Sequence, residues 1–316
     1  MQTWLTHRLG IDVPLVQAPM ANIAGGRLAA AVSAAGGLGM VAAGHTASGE
    51  WITEQAGVAQ VTGRPFGVGL MAWALEESPG QLDAVIGTAA TLVSVSFGQF
   101  EEPVRRLKEA GKVVTTQVGN LAEARRAQES GVDFVVVRGG EGGGHGRNDL
   151  GTLALLDMVL DEVDLPVVAA GGIATARGLA AVLAAGAVGG WAGTAFLACS
   201  EANTAPQARK RLFSAGDDAT AYGRVFDIAS RASWPPEYGG RALRNTFFER
   251  WAGREEELAA SQEAAAELAA ARERGDYDSA FIYAGQGAAL LREERSAADV
   301  VAGFASAESL LRRSYS

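Results

Sequence analysis

Residues 138–147 read RGGEGGGHGR: six glycines, one glutamate, two arginines and one of the chain's three histidines. So few side chains leave nothing to build a core with, which makes the stretch a loop. His145 is the group in it suited to moving protons. Histidine as a residue type titrates in the neutral range, which suits proton abstraction from a weakly acidic carbon. The glycines would let the backbone lie against a flat ligand, with His145 projecting over its face. A histidine hydrogen-bonded within a surface loop is the competing reading. Two further glycine turns follow apolar runs, AGGI at 170–173 and AGT at 192–194. Together they put free backbone N–H groups beside helix N-termini, a cradle for phosphate. Taken singly, either turn is explained as well by tight geometry alone.

These residues must be positioned by regular elements, and the chain repeats one unit. A helical stretch closes on a small residue plus glycine, and an apolar run follows at once: VRRLKEAG into KVVTTQVG, ARRAQESG into VDFVVVRGG. The glycine suits a left-handed helix end, and runs apolar on both faces suit parallel strands covered by helices. Asn120 with Glu123, and Thr175, mark helix starts. Eight strands are expected: 13–17, 38–43, 66–71, 92–97, 113–118, 134–137, 167–170 and 190–196. Eight βα units favour a (β/α)8 TIM barrel over residues 1–200, with a doubly wound sheet as the alternative. Residues 201–316 read as a mainly helical C-terminal region packing on the barrel and covering the active site. Within it SWPPEYGGR (233–241) reads as an irregular loop over the mouth.

Bulk properties narrow the classes. A net charge of −9 disfavours nucleic acid. A lone cysteine, Cys199, and three histidines leave no metal site and no internal disulfide, which points to the cytoplasm. Residues 178–198 form an uncharged run long enough for a bilayer, but its glycines read better as a buried helix followed by a buried strand. No membrane association is expected. The apolar stretch at 290–311 has two readings, a cover for the barrel or a subunit contact in a homo-oligomer. His45 reads as a loop residue or substrate contact, His7 as structural, and Cys199 as buried. Trp73, Trp234 and Tyr238 read as packing or as pocket walls.

PLVQAPMANIAGGRLAAAVSAAGGLGMVAAG (14–44), EGGGHGR (141–147) and PVVAAGGIATARGLAAVLAAGAVGGWAGTAFLA (166–198) resemble the nitronate monooxygenase family. The resemblance implies an FMN-dependent oxidoreductase on a (β/α)8 barrel, acting on a small molecule with O2. It implies that Gly171, Gly172, Trp191, Ala192, Gly193 and Thr194 hold the FMN phosphate, and that Gly143 lies against the ring. Ala18 and Met20 line the other side, Gly69, Gln117 and Arg138 complete the cofactor set, and His145 is the catalytic base. Two positions depart from the family pattern: Gly69 replaces Asn and Arg138 replaces Gln. An arginine there suits a negatively charged ring, an anionic substrate or a neighbouring salt bridge.

The reaction so implied is oxidation of nitronates or nitroalkanes to a carbonyl compound and nitrite. An NAD(P)H-dependent reductase of enoyl thioesters or quinones is the alternative, and a flavin-free phosphate-binding lyase or isomerase is the second.

Overall fold

Gly111 and Gly131 end their helices with φ of 75° and 78°, and the next strand begins two or three residues later. That rhythm builds the molecule, a computed structural model describing residues 1–313. The strands are β1 (Leu15–Gln17), β2 (Gly39–Ala42), β3 (Phe66–Met71), β4 (Leu92–Ser96), β5 (Val113–Val118), β6 (Phe134–Arg138), β7 (Gly144–His145), β8 (Val167–Ala170), β9 (Gly189–Ala192), β10 (Thr220–Gly223) and β11 (Gly240–Leu243). Eight of them pair in parallel in the order β1-β9-β8-β6-β5-β4-β3-β2. A parallel bridge between Val16 and Leu38 returns β1 to β2 and closes the ring. This is the (β/α)8 barrel and not the doubly wound sheet.

The barrel interior is sealed from below. Helix Trp4–Leu9 places Leu5 and Leu9 among Leu38, Leu92, Val113 and Phe134, the first residues of their strands or adjacent to them. Outside, Phe66, Val68 and Leu70 of β3 join the core shared with the helices, so alternation turns Gly67, Gly69 and Met71 inward. Each fully buried Leu or Phe contributes about 1.5–3 kcal/mol. The uncharged run at 178–198 is a helix and a strand, as its glycines imply, and no described helix is long and apolar enough to cross a membrane.

Three sequence expectations need correction. The eighth barrel strand ends at Ala192, because Thr194–Phe196 turns into a 3-10 helix. The glycine-rich stretch is not all loop: Gly144–His145 is β7, antiparallel to β11, which pairs in turn with β10. Residues 233–241 are irregular only as far as Gly239, since Gly240 and Arg241 open β11. The region after residue 200 therefore holds a small sheet as well as helices. It has its own core around Phe226, Phe247, Phe248 and Leu268, while Ala297, Val300, Val301 and Phe304 pack onto the barrel.

Candidate active site

His145 is fixed from three sides. β11 places Gly240 opposite it, so the ring is borne on a strand pair and not on a free loop. Its Nε2 lies 2.8 Å from Asp227 Oδ1, with the two side chains 8% and 3% exposed. Tyr283 donates its hydroxyl to the same oxygen at 3.0 Å. The Trp234 indole stacks on the imidazole with centroids 3.7 Å apart and planes 4° from parallel. Burial and the Asp227 charge hold the Tyr283 phenol well above its usual range, so it remains a donor.

The glycine-rich segment owes its composition to the protein itself. A β-carbon on Gly143 would overlap the backbone of Ala284 and Gly285, and one on Gly146 would overlap the Arg138 guanidinium. Glu141 accepts from the backbone N–H and hydroxyl of Thr152, at 3.0 and 2.8 Å, at the start of helix Thr152–Glu162. Among the described residues Arg138 makes no salt bridge. Its Nη2 donates to the carbonyls of Gly142, Gly143 and Gly144 at 2.8, 3.1 and 2.9 Å. Its Nη1 donates to the Arg147 carbonyl at 3.3 Å. Burial lowers this guanidinium to about 10, so it is still charged at neutral pH. Arg241 completes the clamp, reaching the Gly140 carbonyl and Asn148 Oδ1, both at 2.7 Å.

An aromatic roof closes over the imidazole. Phe97 directly follows β4 with φ of 68°, a strained value for a bulky residue, and its ring meets Trp234 and Tyr238, each at 5.3 Å. Trp73 meets Trp234 at 5.3 Å and His45 at 5.7 Å. Tyr238 is tied to Glu123, which also caps Gly119 N and pairs with Arg147 at 2.6 Å. Asn120 caps helix Leu121–Glu129 as its sequence implies. The cleft left beneath this roof, touching Gln117, Arg138 and Tyr238, is only about 10 Å³. A larger cavity of about 210 Å³ lies beside Ala174, Thr175, Ala195, Arg295 and Phe304. His145 lines neither of them.

The cradle residues converge at the ends of β8 and β9. Gly171 and Gly172 have φ of 105° and 69°, and Gly172 is exposed. Gly193 faces Ala18 Cβ and Met20 Sδ, where an added β-carbon would stand 3.4 and 3.5 Å from them. The Trp191 indole N–H, near the C-terminal end of β9, is buried and has no partner among the described residues. Thr194 accepts from Gly285 N at 2.9 Å, which brings the YAGQG segment across the cradle. The exposed Gly172, the half-buried Gly171, Gly193 and Thr194, and an unpartnered buried donor fit a ligand with an anionic end and polar ring edges.

Gly69 has a local explanation. Its β-carbon would overlap the Pro19 ring. Installing the family's residue, Gly69→Asn, should cost about 1–3 kcal/mol by overpacking, read as a lowered thermal midpoint. An unchanged midpoint would show that Pro19 yields freely.

Of the other expected residues, Gln117 lies at the cleft and Ala192 is buried beneath Gly193. Cys199 is buried, and burial pushes its thiol up to about 12, so it is no nucleophile. His7 is exposed on the first helix and far in sequence from the roof, whereas His45 joins the roof through Trp73. Sequence reasoning missed Asp227, Tyr283 and Arg241. A single acidic residue inside the apolar run VFDIA was the one available signal for the first of them.

A barrel with a glycine cradle at its last two strands and a held histidine after its sixth fits a flavin-dependent oxidoreductase. The nitronate monooxygenase family profile matches residues 2–81 and 76–306, and the chain belongs to that family. Among relatives, (3aS,4S,5R,7aS)-5-hydroxy-7a-methyl-1-oxo-octahydro-1H-indene-4-carboxyl-CoA dehydrogenase of Rhodococcus jostii is 37% identical over 227 residues, covering 72% of this chain and 64% of the relative. The structure of FabK from Thermotoga maritima superposes with a TM-score of 0.85 at 28% identity, over 100% of both chains. The nitroalkane oxidase of Streptomyces ansochromogenes superposes with a TM-score of 0.84 at 30% identity, over 99% of both chains.

Proposed function

We propose that this protein uses FMN and O2 to oxidise nitronates, and nitroalkanes after their deprotonation, to a carbonyl compound and nitrite. The observation that supports it most is the buried His145–Asp227 pair at 2.8 Å, beside a phosphate cradle in a barrel of this family. Backbone N–H groups of Gly171, Gly172, Gly193 and Thr194 bind the phosphate, with Trp191 and Ala192 beneath them. Ala18, Met20, Gly69 and Gln117 leave room for the ring and edge it. FMN, when bound, supplies the electron acceptor. His145 takes the α-proton of a neutral nitroalkane, and a preformed nitronate does not need it. The roof of Trp73, Phe97, Trp234 and Tyr238 excludes water from that proton transfer. A lone buried thiol suits the cytoplasm as its place of work.

The 37% identity to a CoA-ester dehydrogenase favours a second reading, a nicotinamide-dependent oxidoreductase of acyl thioesters. One experiment separates the two. The purified protein is expected to be yellow and to release FMN on acid denaturation. Mixed anaerobically with propyl-2-nitronate, NADH or NADPH in separate runs, it should bleach with the nitronate alone. Bleaching by a nicotinamide would transfer the assignment to the second reading, and a colourless protein that FMN does not reconstitute would remove both.

A further inference from the structure

His145 has two ring nitrogens, and only one of them is engaged. Nε2 faces Asp227 Oδ1 at 2.8 Å, while no hydrogen bond among the described residues reaches Nδ1. An ionised carboxylate can only accept, so the proton of the neutral ring resides on Nε2 and the lone pair on Nδ1. Tyr283 supplies the second donor to the same carboxylate oxygen at 3.0 Å. The other oxygen, Asp227 Oδ2, is buried, and among the described residues it has no hydrogen-bond partner and no arginine or lysine pairs with this carboxylate.

That arrangement is unusual for a structural carboxylate. Buried charges are ordinarily paired with an opposite charge, because the interior solvates them poorly. Here the available counter-charge within reach is the one His145 itself would carry on gaining a proton. Helix Val225–Ser230 has Asp227 in its first turn, and β11 holds the imidazole in register through Gly240. A β-carbon at 240 would overlap the Tyr283 ring and stand 3.3 Å from His145 Nε2, so the strand approaches closely there. Carboxylate, phenol and strand therefore converge on one ring orientation.

We infer that Asp227 is the positioning residue of this site: it locks His145 as the Nε2–H tautomer, so that Nδ1 is the atom that takes the substrate proton, and Tyr283 holds Asp227 in place. The inference rests on the reading of His145 as a base. In the step concerned, the C–H bond of the nitroalkane breaks, its electron pair stays on the nitronate, and the proton forms the Nδ1–H bond. Nothing is oxidised or reduced in it. The imidazolium so formed faces the Asp227 carboxylate, which keeps its own charge throughout. Trp234 covers one face of the ring, so a substrate would have to approach Nδ1 along the ring edge.

The test uses 15N-labelled FMN-loaded protein and two-bond 15N–1H correlation spectra of its three histidines. A His145→Gln spectrum assigns the resonance. His145 is expected as a single Nε2–H tautomer in the wild type. In Asp227→Asn, whose amide can accept or donate, that single tautomer should be lost. Nitroalkane kcat should fall about a hundredfold or more, with nitronate turnover within about threefold of wild type. Tyr283→Phe removes one hydroxyl and little volume, so it covers the case in which Asp227→Asn does not fold. It should broaden or mix the tautomer and lower nitroalkane kcat by about 3- to 10-fold. Retention of the pure Nε2–H tautomer and of the nitroalkane rate in these variants would overturn the assignment of Asp227. A locked tautomer in wild type, released by Asp227→Asn, without any nitroalkane turnover would uphold Asp227 and defeat the reading of His145 as a nitroalkane base.

Discussion

Replacing His145 by Asn should lower kcat/KM for a neutral nitroalkane by about 10²–10⁴-fold, the usual contribution of a placed general base, and leave turnover of the matching nitronate within a few fold. The asymmetry follows from the chemistry: the nitronate has already lost the proton that His145 would remove. Asparagine stops at the position of Nδ1 and does not reach Asp227, whose carboxylate lies 2.8 Å from Nε2, so the buried acid keeps only the Tyr283 donor in this variant. Steady-state assays with the two substrate forms, each at pH 8 and checked for FMN content, read the difference directly. Equal losses on both would mean that His145 acts by holding the site together and not by accepting a proton.

Much of this scaffold is legible along the chain, and the reason is local. A helix that ends on glycine and passes at once into an apolar run announces each βα unit, and β3 and β5 begin and end where the pattern places them. The cradle is legible for the same reason, since consecutive glycines after a strand have few other uses. Boundaries fail where composition is continuous. WAGTAF stays apolar through the turn at Gly193, so nothing in it marks the passage from strand to 3-10 helix. The short strands β10 and β11 escape because TAYG and GRAL carry too few residues to show a period.

The partners of His145 escape for a different reason. Asp227 and Tyr283 lie 82 and 138 positions away, and only the fold of the C-terminal region onto the barrel brings them to the ring. The glycines of 139–146 show the same limit from the other side. Their abundance reads as space left for a ligand, whereas Gly143 and Gly146 are pressed against Gly285 and Arg138. A sequence shows that side chains have been removed; it does not show what has moved into their place. The C-terminal region is thus part of the site's construction, through Asp227, Trp234, Arg241, Tyr283 and Gly285, as much as a cover over it.

Arg138 is where the two ways of reading make opposite predictions. Read from the family pattern, an arginine in place of glutamine suggests a charge offered to the ring or to an anionic substrate. In the structure its donors are spent on the carbonyls of Gly142, Gly143, Gly144 and Arg147. Arg138→Met keeps most of the stem volume and removes all of those donors. Leaving buried carbonyls unsatisfied costs about 1–3 kcal/mol each, and water entering from the mouth offsets part of it, so a net loss of about 2–4 kcal/mol is expected. Arg138→Lys supplies a single charged centre that cannot span the four oxygens as a planar fork does, and should fall between the two. The shift of the guanidinium down to about 10 bears on this through its sign. A base lowered below its unfolded value makes stability rise with pH from about 10 upward, and it leaves no slope at neutral pH, where both states are protonated. The loss in Arg138→Met should therefore be the same at pH 6 and pH 8 when denaturant midpoints are compared. If the arginine instead serves an anionic substrate, Arg138→Met will keep its denaturant midpoint and raise KM alone.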